Sequence, residues 1–531
     1  MATQRRSFLQ AAAATLAMPS VVSAQGGPGR ANLLRFVPQS DLAVLDPIWS
    51  TAYVTRNHAM LVFDTLYGLD NQYRPQPQML AGHETGENGK LWRLTLRDGL
   101  RWHDGEPVLA RDCVASIRRW AARDGFGQTL LAATEELSAE SDTVIRFRLK
   151  APFPLLPDAL GKAGSAICAM MPERLANTDP FTPVTEMVGS GPFRFLPAER
   201  VAGSRVVYER FGDYVPRPDG QAEFTAGPKR AFFDRVEWNV LPDAATAANA
   251  MRTGEMDWWE NPAADLLPLL KRDSNLTVTV QDSAGYIGCL RFNHLQPPFN
   301  NPALRRALLG AVRQDDYMMA VAGTDPANWN DKIGFFPPDT SMASAAGMQA
   351  LTAPRDLEAV RRAVAASGYR GETVVLLSPS DFPTLKAMAD VGAAMLREVG
   401  LNLDEQAMDW GSVVQRLPKR DPVEAGGWSL FHTFWSGIDQ INPAVHSYLR
   451  GRGTASANGW PTSERLEELR DQWLAAPDIA EQKAIAAQIQ QQAFQDVPYI
   501  PVGQMLASTV HRRDIEGVLK GFVLFWNARR V

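Results

Sequence analysis

Apolar and polar positions change period several times along this chain, and each change predicts an element. Leu91–Leu96, Thr143–Leu149 and Ser204–Arg210 alternate strictly, as strands with one solvated face do. Leu33–Val37, Thr277–Val280, Tyr286–Phe292, Thr373–Leu377, Asn402–Gln406 and Tyr499–Val502 are short runs that read as further strands. Helical spacing recurs over His58–Leu66, Ala110–Ala122, Asp243–Arg252, Asn301–Arg313, Asp356–Ser367, Thr384–Val399 and Glu464–Asp496. From Asn301 onward helices and strands interleave, an order that implies a parallel α/β lobe. Tyr499–Val502 and Val518–Phe525 finish the fold.

A chain of 531 residues is too long for one ordinary core, so two or three lobes are expected. Its first residues read as an export signal. Arg5-Arg6-Ser7-Phe8-Leu9 is followed by a mild apolar run and by Val22-Ser23-Ala24, the order of a twin-arginine signal cleaved after Ala24. No cysteine stands near that point to carry a lipid, so a periplasmic, unanchored and monomeric product is expected. No other apolar stretch approaches the length of a membrane span, so the chain is not itself a channel. The net charge of -5 and the lack of a dense Lys/Arg cluster argue against nucleic acid as a partner. Arg305-Arg306 and Arg361-Arg362 fall in helical patterns and read as solvated faces. Cys113, Cys168 and Cys289 form no CxxC pair; buried, inert thiols are the preferred reading, with one disulfide left open.

Four longer motifs follow one another in order: Leu45-Asp46-Pro47 with Phe63–Tyr67, then Trp92–Pro107, then Val188–Phe195, then Arg291–Asn293 with Pro297-Pro298-Phe299 and the helix after it. Ser367-Gly368-Tyr369 is a fifth. Together they resemble the family 5 extracytoplasmic solute-binding proteins, the dipeptide, oligopeptide and nickel binders of ABC importers. The resemblance covers nearly the whole chain after the signal. It implies an α/β fold of the periplasmic binding protein type II (cluster C), with two hinged lobes and an extra domain. On that reading residues 31–58, 190–288 and 502–531 make the first lobe, 59–189 the extra domain and 289–501 the second lobe. The implied partners are a peptide or similar small solute and an ABC permease of the inner membrane, with no cofactor and no resident metal.

Candidate binding residues come from the aromatic supply and from the family's pattern. The stretch Gly426–Asp439 contains Trp428, Trp435 and Asp439 and is similar to the family's pocket segment, whose Asp pairs with a peptide's α-amino group. Here Ile438 intervenes after Trp435-Ser436-Gly437, so Asp439 reads either as that anchor or as a loop cap. One of Trp258-Trp259, taken as Trp259, could face a cleft, because neighbours on a strand point oppositely. Trp49, Tyr53 and Trp410 are further wall candidates by the resemblance. Arg291 could meet a carboxylate or sit in a surface salt bridge. Two other functional classes stay open. A periplasmic enzyme lacks support from HExxH, GxSxG or GxxxxGK motifs. A metal-chelate or haem binder would draw on His294, His432 and His446, which show no paired spacing.

Overall fold

The computed structural model describes residues 32–531; the export signal read from the sequence lies outside the described residues. Two large sheets carry the architecture. The first has seven strands in the order Leu276–Val280, Ser508–Arg512, Trp258–Trp259, Leu33–Val37, Arg235–Asn239, Arg205–Arg210 and Phe193–Phe195. The second has six, in the order Trp329–Asn330, Tyr499–Met505, Tyr286–Phe292, Leu430–Ser436, Val374–Pro379 and Leu403–Met408. A smaller antiparallel sheet, Leu80–Gly86, Leu91–Leu96, Val144–Leu149 and Thr134–Ala139, packs under the helix Ala110–Ala121. Among the described residues no helix is long and apolar enough to cross a membrane.

The chain passes between the two large sheets twice, through residues 281–285 and 506–507. The crossings touch. Gly285 has φ of 53°, and a Cβ there would meet the Met505 carbonyl oxygen at 2.3 Å, so this position favours glycine on both counts. Tyr286–Phe292 and Tyr499–Met505 both belong wholly to the second sheet, whereas the lobe boundaries read from sequence pass through each strand. The second lobe is also not simply parallel. Val374–Pro379 runs parallel to both of its neighbours, but Tyr286–Phe292 pairs antiparallel with Leu430–Ser436 and with Tyr499–Met505.

Local chemistry explains most element ends. Asp243, Asn301 and Asp356 cap their helices by accepting from the N–H groups of Thr246, Ala303 and Ala359. The long helix expected over Glu464–Asp496 is two, Glu464–Ala475 and Ile479–Asp496, because Pro477 interrupts it and Asp478 caps the second. The helix expected from His58 starts earlier and spans Tyr53–Val62. Arg305 is not on a solvated face: it is buried and donates to the carbonyls of Phe299 and Asp496. Val518–Phe525 forms no strand, yet it inserts Phe522, Leu524 and Phe525 into the first lobe's core. Cys113, Cys168 and Cys289 are buried and free, and burial raises all three thiols, Cys289 to about 12.

Candidate functional site

The strand Leu430–Ser436 and the turn Gly437–Gln440 position the site. Alternation along the strand sends Phe434 and Trp435 to opposite sides. Phe434 lines a cavity of about 310 Å³ with Tyr286, Phe382, Asn261 and Leu506, between the two large lobes. Trp435 lines another, of about 280 Å³, where the first lobe, the small sheet's unit and the second lobe meet. The first lobe contributes Trp49, and the second lobe adds Asp439, Arg450 and Arg452. The small unit supplies Arg123, Lys162 and Ser165.

Asp439 lines this second cavity from the turn after the strand. It is 5% exposed, and its Oδ1 accepts from the Ser165 backbone N–H at 2.9 Å and from the Ser165 hydroxyl at 3.1 Å. Its Oδ2 is buried with no donor. Two glycines make this approach possible. A Cβ at Gly164 would lie 2.1 Å from Asp439 Oδ1, and one at Gly437 would lie 2.0 Å from the Ala284 carbonyl oxygen. Lys162 pairs with Asp124 and donates to the Ser165 carbonyl at 2.6 Å, so it holds the loop that meets Asp439. An acceptor left unmade in a buried setting costs roughly 1–3 kcal/mol, so a cation or N–H donor at Oδ2 would gain that back.

Trp49, Trp435 and Asp439 therefore line one space. Tyr53 stands beside it. Its hydroxyl accepts from the Ser436 N–H at 2.5 Å, its ring is 5.7 Å from that of Tyr286, and burial and the charge of Asp439 raise its pKa. Trp410 lies behind the other cavity, edge-on to Phe382 at 6.2 Å. Three candidates are elsewhere. Trp259 and Trp258 do point oppositely, but both faces of their sheet are covered, and each ring is core. Trp428 is fully buried against Phe431 and Trp460, with its Nε1 donating to the Leu417 carbonyl. Arg291 is fully buried and serves neither a carboxylate nor the surface. It donates to the carbonyls of Asn458, Tyr448, Pro498 and Ala457, and its guanidinium lies 4.1 Å from the Tyr448 ring centre.

The three histidines do not converge. Burial lowers all of them, His432 and His446 to about 3 and His294 well below its ordinary value. His432 faces Tyr317, His446 sits 3.0 Å from both the Phe335 carbonyl and the Tyr499 hydroxyl, and His294 faces the Pro498 carbonyl. Among the described residues no group of three His, Cys, Asp or Glu side chains could hold a metal ion. Sequence reasoning missed Arg123, Lys162, Ser165 and Arg452. Their only signal is placement, since Ser165 reaches Asp439 across 274 positions of sequence.

Residues 74–455 match the model of the bacterial extracellular solute-binding proteins, family 5. The chain belongs to this family. A relative from Sinorhizobium fredii, named "Probable peptide ABC transporter periplasmic-binding protein y4tO", is 35% identical over 539 residues, covering all of both chains. Solved structures place the fold among the type II periplasmic binding proteins. The protein AgaA of A. tumefaciens R10, in complex with agropinic acid, superposes with a TM-score of 0.77 at 19% identity, over 94% of this chain and 99% of that one. The Helicobacter pylori protein DppA, in complex with the peptide STSA, gives 0.76 at 20% identity, over 94% and 98%. As a family 5 member, this chain is a solute-binding protein.

Proposed function

We propose that this protein captures a short peptide, or a peptide-like zwitterion, outside the cytoplasm and presents it to an ABC permease. The observation that carries the reading is Asp439, which lines a cavity walled by Trp49 and Trp435 and whose Oδ2 is a buried carboxylate oxygen without a donor. A peptide's α-ammonium supplies the missing donors, and the indole rings cover its apolar parts. The name of the Sinorhizobium fredii relative and the peptide bound by the Helicobacter pylori protein point the same way. The mechanism is binding without turnover. The second lobe swings about residues 281–285 and 506–507, closes over the solute and excludes water. A solute shifts that equilibrium only by its preference for the closed form.

Thermal shift and calorimetry with free and N-acetylated di- and tripeptides test this. A solute at a hundred times its dissociation constant should add about 2.7 kcal/mol of stability. Free-amine peptides should bind, their N-acetylated forms should not, and Asp439→Asn should lose the difference. Equal binding of both forms would retire Asp439 as the ammonium anchor. Turnover of any compound in the panel would replace the binding role with an enzymatic one.

A further inference from the structure

The charges around the Asp439 cavity do not cancel, and what is left over indicates a class of peptide. The inference rests on the peptide reading above. Two of the cations at the cavity already have a carboxylate. Lys162 is paired with Asp124, and Arg450 holds Glu467 in a fork, Nε to Oε1 at 3.0 Å and Nη2 to Oε2 at 2.7 Å. The other two do not. Arg123 and Arg452 line the cavity, and among the described residues neither has a carboxylate within 4.0 Å. Arg123 packs its guanidinium on the rings of Trp49 at 4.6 Å and Phe181 at 5.1 Å. Stacking of this kind leaves the in-plane N–H groups free to fork onto a carboxylate. Arg452 stands at the exposed edge, two residues from Arg450.

Against these two cations stands one anion with an unfilled acceptor, Asp439. We propose that the preferred solute carries the complement: one ammonium and two carboxylates, in a short peptide with one acidic side chain. Its ammonium meets Asp439, and its carboxylates meet Arg123 and Arg452. A cavity of about 280 Å³ lies just below the roughly 300–1,000 Å³ of small-molecule sites, which favours two or three residues. The closing contacts join all three parts of the molecule, because Arg123 belongs to the small sheet's unit, Arg452 to the second lobe and Trp49 to the first.

Calorimetry on the purified protein tests the charge assignment with Ala-Glu and Glu-Ala, their amide counterparts Ala-Gln and Gln-Ala, and the basic Ala-Lys, together with the Ala-extended tripeptide of each. The better acidic peptide should bind at least tenfold more tightly than its amide counterpart, and the lysyl peptides most weakly. Arg123→Gln and Arg452→Gln should each narrow the acid-to-amide ratio. Amide peptides that bind as tightly as acidic ones would overturn the charge assignment and leave the peptide reading standing. Failure of either arginine variant to narrow the ratio would remove that arginine, and the proposal with it. If no free-amine peptide binds, the peptide reading itself falls. The acid-to-amide ratio is measured first on the unsubstituted protein, so a variant that does not fold cannot mask it.

Discussion

The small sheet's unit meets its two neighbours in different ways. Toward the first lobe it uses buried ion pairs. Arg119 reaches Asp46 at 2.7 Å with both side chains at most 2% exposed, and Lys229 reaches Asp64 at 2.7 Å with both at most 1% exposed. Asp46 also accepts from the Val184 N–H, and Asp64 from the Tyr214 hydroxyl. Toward the second lobe it uses Ser165 on Asp439 and a long contact, at 3.4 Å, from Arg470 to Thr129. Apolar side chains continue across both boundaries, so burial of hydrocarbon does not separate them. Charge does. Opening the first boundary would break two pairs of opposite charges in a low-dielectric setting, whereas opening the second breaks hydrogen bonds that each have one neutral partner. The first lobe and the small unit should therefore move as one body, with the second lobe as the moving part.

Arg119→Ala should break this contrast most severely. It leaves Asp46 buried without its cation and should cost about 3–5 kcal/mol in denaturant unfolding. A loss under about 1 kcal/mol would mean that the first boundary is not locked by charge. Asp439→Asn acts on the other side. Fold stability should hold while peptide affinity drops by about 2–5 kcal/mol, read by calorimetry. Tyr53→Phe removes the hydroxyl that accepts from Ser436 between the first and second lobes. About 1 kcal/mol is at stake, roughly a fivefold shift toward the open form, visible as a larger radius of gyration in solution scattering. Lys271→Ala should do least. Its pair with Asp325 spans the cleft at 3.6 Å with both side chains about half exposed, and its loss should cost under about 0.5 kcal/mol and vanish in high salt.

Fold class was legible because strand alternation and helix periodicity are local. Leu91–Leu96 and Tyr286–Phe292 are found where the pattern puts them. Ser508–Arg512 and Leu430–Ser436 escaped notice: the first is buried yet polar at four of its five positions, and the second mixes His, Thr and Ser into an aromatic run, so neither shows a regular apolar pattern. Trp259 was misplaced because period two fixes which side a ring faces, not whether that side is empty. Arg291 escaped for another reason. Its acceptors are backbone carbonyls of residues 448, 457, 458 and 498, and no side-chain type in the sequence announces a carbonyl cage. Trp49, Trp435 and Asp439 were reached through a family pattern, whereas Arg123 and Arg452 needed three-dimensional placement.

The state of the cysteines has a practical consequence. All three are sheathed in the core with their thiols held protonated, so a thiol-directed dye finds nothing native to attack. A sulfur added by Lys271→Cys or Asp325→Cys would be the reactive one, and the two together would face each other across the cleft mouth. The unaltered molecule thus serves as its own blank for fluorescence reporting of closure, without any cysteine having to be removed first.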